Sequence, residues 1–162
     1  MKTSTTTERQ SDSAEAPSIN RVLRVLLAED NDADAYLIRQ SLASLPVDIL
    51  LRNDGEQMMQ TLDSIEAGAL PFPDLILLDL NLPCYNGIEV LERLRAGAVC
   101  STIPVIVVTS SDAPRDRDLT AHAQVRGYFR KPSDYDEFMR LGDLVRQVVD
   151  QEAPGASLRD PD

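Results

Sequence analysis

The sequence predicts a doubly wound α/β domain, in which a parallel sheet of five strands is covered by helices on both faces. Two observations carry this. Between residues 22 and 149 the apolar spacing switches repeatedly from about two residues to about 3.6, the periods of strand and helix. The chain is also 43% hydrophobic with no Trp and only 4% aromatic residues, so its core must be Leu, Val, Ile and Ala, as in strands buried on both faces.

Val22 to Ala28 reads as the first strand, and Ile38, Leu42 and Leu45 then fall at i, i+4 and i+7 on one helical face. Val47 to Leu51 is a short second strand. After the turn signal Asp54-Gly55, Met58, Leu62 and Ile65 repeat the helical spacing, with Met58 and Met59 as core filler. Leu75 to Leu80 is the third strand; Pro83 and Gly87 shape the turn after it, and Ile88, Leu91 and Leu94 mark a third helix. Val105 to Val108, the most β-branched run, is the fourth strand. Asp112 and Pro114 signal a fourth helix, Asp112 as its cap and Pro114 near its first turn. Val125 to Phe129 is a weak fifth strand, and Phe138, Leu141, Val145 and Val148 give a last amphipathic helix. Such alternation implies right-handed crossovers and hence a parallel sheet.

The domain is expected over residues 21–150. Residues 1–20, rich in Ser, Thr and charge, read as a disordered N-terminal tail, and residues 151–162, where Pro, Gly and Asp recur without period, as a flexible C-terminal tail. A formal net charge of −11 disfavours a nucleic acid or an anionic membrane as the main partner. No apolar run approaches the ~20 residues of a bilayer span, and Met1 to Asn20 lacks the apolar segment of a signal peptide, so a cytoplasmic protein is expected. Cys84 and Cys100 read as ordinary thiols, with a disulfide formally open.

Sheets of this kind bind ligands outside the carboxyl ends of their strands. There the first strand ends in Glu29-Asp30, the third in Asp79, the fourth in Thr109-Ser110, and the fifth runs into Arg130-Lys131-Pro132. Carboxylates so gathered repel one another unless a cation intervenes, and hard oxygen donors suit Mg²⁺. With an ammonium and a hydroxyl nearby, the set has the parts for phosphoryl transfer, Asp79 being able to form an acyl phosphate. Each residue alone has a plainer role. Glu29, Asp30 and Asp32 suit the start of the first helix, Asp79 suits a turn or a cap, and Thr109 and Ser110 are ordinary helix-entry residues. His122, placed on the predicted fourth helix, has no second His to complete a metal site. Only the joint placement at successive strand ends favours the chemical reading.

Those residues, together with the strings "ILLDLNLP", "PVIVV" and "YFRKP", make the chain resemble a receiver domain of the bacterial two-component response-regulator family over residues 22 to about 150. The resemblance implies a CheY-like, flavodoxin-like fold with strand order 2-1-3-4-5. It implies that Asp79 takes a phosphoryl group from a sensor histidine kinase. Mg²⁺ would be held by Asp30, Asp79, the main-chain carbonyl of Asn81 and, through water, Glu29. Thr109 and Lys131 would contact the phosphoryl group, the Lys131-Pro132 bond would be cis, and Tyr128 would be the switch aromatic; a half-buried edge tyrosine is its plainer reading. Such a protein catalyses only its own phosphorylation and dephosphorylation.

"DLNLP" and the long loop "EAGALPFPD" further resemble single-domain regulators paired with phytochrome-type kinases, which often dimerise; this implies a homodimer signalling through the face of helix four, strand five and helix five. Too little chain follows Val149 for a DNA-binding module. Cys84-Tyr85-Asn86 departs from the Lys and Asp of many relatives. Three rivals remain: a haloacid-dehalogenase-type phosphohydrolase, whose second Asp is here Asn81; a flavodoxin-like carrier, whose phosphate cradle is absent after the first strand; and a receiver-like binding protein that works without phosphorylation.

Overall fold

The computed structural model describes residues 21–110 and 122–159. The expected N-terminal tail and the helix opened by Asp112 and Pro114 lie outside the described residues. Within them run β1 (Leu23–Ala28), α1 (Asp32–Ser41), β2 (Val47–Arg52), α2 (Gly55–Glu66), β3 (Leu75–Leu78), α3 (Gly87–Ala96), a 3₁₀ turn at Cys100–Thr102, β4 (Val105–Thr109), β5 (Val125–Arg130), α4 (Tyr135–Phe138) and α5 (Leu141–Arg159). The five strands are parallel in the order β2-β1-β3-β4-β5, as expected. The chain reverses its direction of winding between β1 and β3, and the register pairs Ala28 with Leu78 across that junction. Glu29 and Asp79, next in each strand, therefore emerge side by side.

Alternation along the strands splits the core in two. Val25 and Leu27 of β1 and Leu75 and Leu77 of β3 face α1 and α5 through Ile38, Leu42, Leu141 and Val145. Leu26, Ile76 and Leu78 face α2 and α3 through Met58, Leu62, Val90 and Leu94. All four residues of β3 are fully buried, so the strand is fixed from both sides, each large side chain contributing about 1.5–3 kcal/mol. Helix starts are set locally: Asn31, Asp54 and Asn86 accept hydrogen bonds from the N–H groups of Asp34, Gln57 and Glu89. The cap of α1 is thus Asn31, which leaves Glu29 and Asp30 outside the helix.

Three boundaries differ from expectation. Leu45 follows the end of α1 but still packs in the core. Phe138 and Leu141 sit on separate helices: Phe138 ends α4, where it meets Phe129 edge-on at 5.9 Å, and α5 begins at Leu141. The backbone of α5 is helical from Leu141 to Arg159, docked in the core through Val145 and Val148. His122 stands in the bend leading into β5, where its carbonyl accepts from the Val125 N–H, so a strand entry takes the place of the expected helix at that residue.

Candidate functional site

At the carboxyl edge of the sheet the Asp79 N–H donates to the Ala28 carbonyl at 3.1 Å, carrying the ladder one residue beyond β3 and fixing the aspartate at the junction. Its two oxygens have different partners. Oδ1 accepts from the Asn81 N–H at 3.0 Å, which makes the expected turn, and Oδ2 accepts from Lys131 Nζ at 3.0 Å. The turn is closed by the Gly87 N–H, which donates to the Leu80 carbonyl at 2.9 Å; a Cβ on Gly87 would stand 2.7 Å from the Asp79 carbonyl oxygen, so only glycine fits. The unusual segment before it has a structural role: Cys84 takes a left-handed backbone (φ 73°), Tyr85 is exposed, and Asn86 forms a capping box with Glu89.

Lys131 reaches the site from just beyond β5. Its N–H donates to the Thr109 carbonyl at 2.9 Å, continuing the β4–β5 pairing, and its ammonium lies 2.8 Å from Glu29 Oε1, 2.8 Å from Asp34 Oδ2 and 3.0 Å from Asp79 Oδ2. The expected cis bond at Pro132 is not found: no peptide bond among the described residues is cis. The trans isomer is intrinsically favoured even before proline, and here the three carboxylates set the direction of the lysine. Burial opposes the ammonium, but its hydrogen bonds to Asp34 and Glu29 and the charge of Asp79 hold its pKa above the usual range.

Three carboxylates face this one cation with Asp30 beside two of them, and Glu29 bears the imbalance. It is 1% exposed, and burial pushes its carboxyl up to about 7 against the pull of Lys131, the charge of Asp79 adding to the rise. Oε2 accepts from the Asn31 N–H at 3.1 Å, and Oε1 has no partner beyond its 2.8 Å ion pair with the Lys131 ammonium. Ligand oxygens of Glu29, Asp30 and Asp79 lie within 4.8 Å of one another. Three clustered carboxylates, one of them buried with only a shared ammonium at its Oε1, are a donor set that fits a hard divalent cation.

The remaining expected residues are nearby in the fold. Thr109 is fully buried at the end of β4, next to β3, and Asn81 follows Asp79 in the turn. Tyr128, paired in register with Val107, is 36% exposed on the edge strand β5. Asp34 is the residue that sequence reasoning missed: it lies in the first turn of α1 with Asp32, and its partner Lys131 is 97 residues away.

Comparisons with known proteins converge. The family model described as response regulator receiver domain matches residues 25–141. The probable methanogenesis regulatory protein FilR2 of Methanothrix harundinacea is 31% identical over 125 residues, 76% of this chain and 81% of the relative. Response regulator Rcp1 of Synechocystis sp. is 32% identical over 120 residues, 72% of this chain and 82% of the relative. The Mn²⁺-bound form of response regulator Rcp1 superposes with a TM-score of 0.69 at 30% identity, covering 77% of this chain and 92% of that one. The phosphorylated cyanobacterial phytochrome response regulator RcpA superposes with a TM-score of 0.70 at 31% identity, covering 78% and 93%.

Proposed function

The chain belongs to the response regulator receiver family, and from that premise we propose that Asp79 is its phosphoacceptor, taking a phosphoryl group from a phosphohistidine of a sensor kinase in an Mg²⁺-dependent reaction. One observation carries the reading: Asp79 stands at the β1/β3 junction with one oxygen held by the Asn81 N–H and the other by Lys131, among more carboxylate charge than that lysine can balance.

In the proposed step an Asp79 oxygen attacks phosphorus in line; the P–N bond breaks, and the departing imidazole nitrogen keeps the electron pair and takes up a proton. Glu29, Asp30, Asp79 and the main-chain carbonyl of Asn81 would hold Mg²⁺, which when bound supplies positive charge to the phosphoryl oxygens. Lys131 offers its ammonium to one phosphoryl oxygen, and the Thr109 hydroxyl donates to another. As Thr109 engages, Tyr128 turns inward and alters the surface formed by β5 and α5. The protein speeds only its own phosphorylation and dephosphorylation, with no external substrate turned over.

Rcp1 and RcpA support a phytochrome-type kinase as the partner, and the exposed Tyr128 and Tyr135 (36% and 52%) support a homodimer through the signalling face. No described helix is long and apolar enough to cross a membrane, and we place the protein in the cytoplasm with its kinase.

Intact-mass spectrometry after acetyl phosphate treatment tests the central step. The expected result is a single phosphate adduct that requires Mg²⁺ and disappears in Asp79→Asn. An unlabelled wild type that also fails to bind beryllofluoride would favour a partner-binding domain that works without phosphorylation.

A further inference from the structure

We propose that Asp34 competes with the phosphoryl group for Lys131, and so sets how tightly the site holds that group. The inference rests on Asp79 being the phosphoacceptor, and it assigns a regulatory role to a carboxylate outside the metal-binding set.

Lys131 has three N–H donors. Two are committed to Asp34 Oδ2 at 2.8 Å and Asp79 Oδ2 at 3.0 Å, and the ammonium also lies 2.8 Å from Glu29 Oε1. Every carboxylate within reach of the ammonium is therefore engaged before a phosphoryl oxygen arrives, and one contact must yield to it. Glu29 and Asp79 are the least able to yield, with side chains 1% and 5% exposed, whereas the Asp34 side chain is 31% exposed and can take water in place of the lysine. Glu29 and Asp79 also belong, with Asp30, to the group whose oxygens lie within 4.8 Å of one another, and Asp34 does not. A cation bound there would offset their charge and leave Asp34 as the uncompensated partner of Lys131.

The competing carboxylate is well anchored. The Asp34 N–H donates to Oδ1 of the cap residue Asn31 at 2.9 Å, which fixes its backbone in the first turn of α1. When the phosphoryl dianion forms, Lys131 exchanges Asp34 for a phosphoryl oxygen, and the released carboxylate stays close enough to repel that dianion. Asp34 is a positioning residue acting through Lys131; it does not touch the reacting atoms.

Calorimetric titration of beryllofluoride in the presence of Mg²⁺, and of Mg²⁺ alone, tests this on wild type, Asp34→Asn and Asp32→Asn. Asp32 is the exposed acid of the same helical turn, so its variant controls for helix dipole and net charge. Asp34→Asn is expected to bind beryllofluoride about fivefold more tightly, the loss of one partly exposed competing ion pair, while binding Mg²⁺ alone no more tightly. Asp32→Asn should stay within about twofold of wild type. The ¹⁵N ammonium resonance of Lys131 should shift in Asp34→Asn without metal or anion, and stay in place in Asp32→Asn. Equal or weaker beryllofluoride binding by Asp34→Asn, or the same gain in Asp32→Asn, overturns the proposal. A wild type that binds no beryllofluoride refutes the phosphoacceptor reading itself, and the Lys131 resonance still reports whether the ion pair exists.

Discussion

Two aspartates bracket β3, and they live in opposite electrostatic worlds. Asp74, before Leu75, has its Oδ1 and Oδ2 at 2.8 and 3.1 Å from the Arg21 guanidinium, while Oδ2 also accepts from the Arg24 N–H at 2.8 Å. Burial works against the charge, but those donors prevail and hold the carboxyl below its usual range. Asp79, after Leu78, shares one ammonium with Glu29 and Asp34 and adds to the pressure that drives Glu29 up to about 7. The same residue type on the same strand is a satisfied peg at one end and part of an undercompensated cluster at the other. Such an excess of buried like charge opposes folding on its own, and it becomes useful once a cation and a phosphoryl group enter.

The strongest way to break the contrast is to exchange amide for acid at each end. Asp79→Asn is expected to lose phosphate labelling completely, while Asp74→Asn keeps it at the wild-type level; intact mass after acetyl phosphate reads both. The second largest effect concerns metal. At about a hundredfold excess over its Kd, Mg²⁺ should stabilise the fold by about 2.7 kcal/mol in denaturant titrations, a gain that is lost in Asp30→Asn and kept in Asp74→Ala. Third, Asp74→Ala should cost about 1 kcal/mol without metal, since its charged hydrogen bonds are real but Arg21 is largely exposed.

The smallest effect is a divergence with pH. Glu29 titrates higher folded than unfolded, so its contribution to stability is full below the ordinary carboxylate pKa and fades as pH rises toward about 7. Asp74 behaves oppositely: its contribution is present above the ordinary carboxylate pKa and lost as pH falls through its lowered value. Metal-free unfolding curves should therefore lose stability as pH rises toward about 7 in wild type, and Glu29→Gln should flatten that fall. Asp74→Ala should remove part of the loss at acid pH.

Much of this was legible in the sequence because it is local. The β-branched run of β4, the all-apolar β3 and the helical spacing of Met58, Leu62 and Ile65 each depend on near neighbours, and the carboxyl end of each strand follows from the alternation itself. Asp79, Glu29 and Lys131 were found in that way. What stayed hidden depends on distant partners. Nothing near Asp34 distinguishes it from Asp32; only the ammonium arriving from beyond β5 does. The break between α4 and α5 keeps Phe138 and Leu141 in one core and so leaves no trace in the apolar spacing. The cis bond that the resemblance implied at Pro132 is not found among the described residues, and the contacts of Lys131 across the sheet edge could not be read from its neighbours in sequence.

The most direct measurement is to locate the phosphate. Borohydride reduction of the acetyl phosphate-treated protein, followed by peptide mass spectrometry, converts a phosphorylated aspartate to homoserine and marks its position. Homoserine at residue 79 alone, dependent on Mg²⁺, is the predicted result. Homoserine at residue 30, 34 or 74 with residue 79 intact would contradict the assignment of Asp79 as the phosphoacceptor.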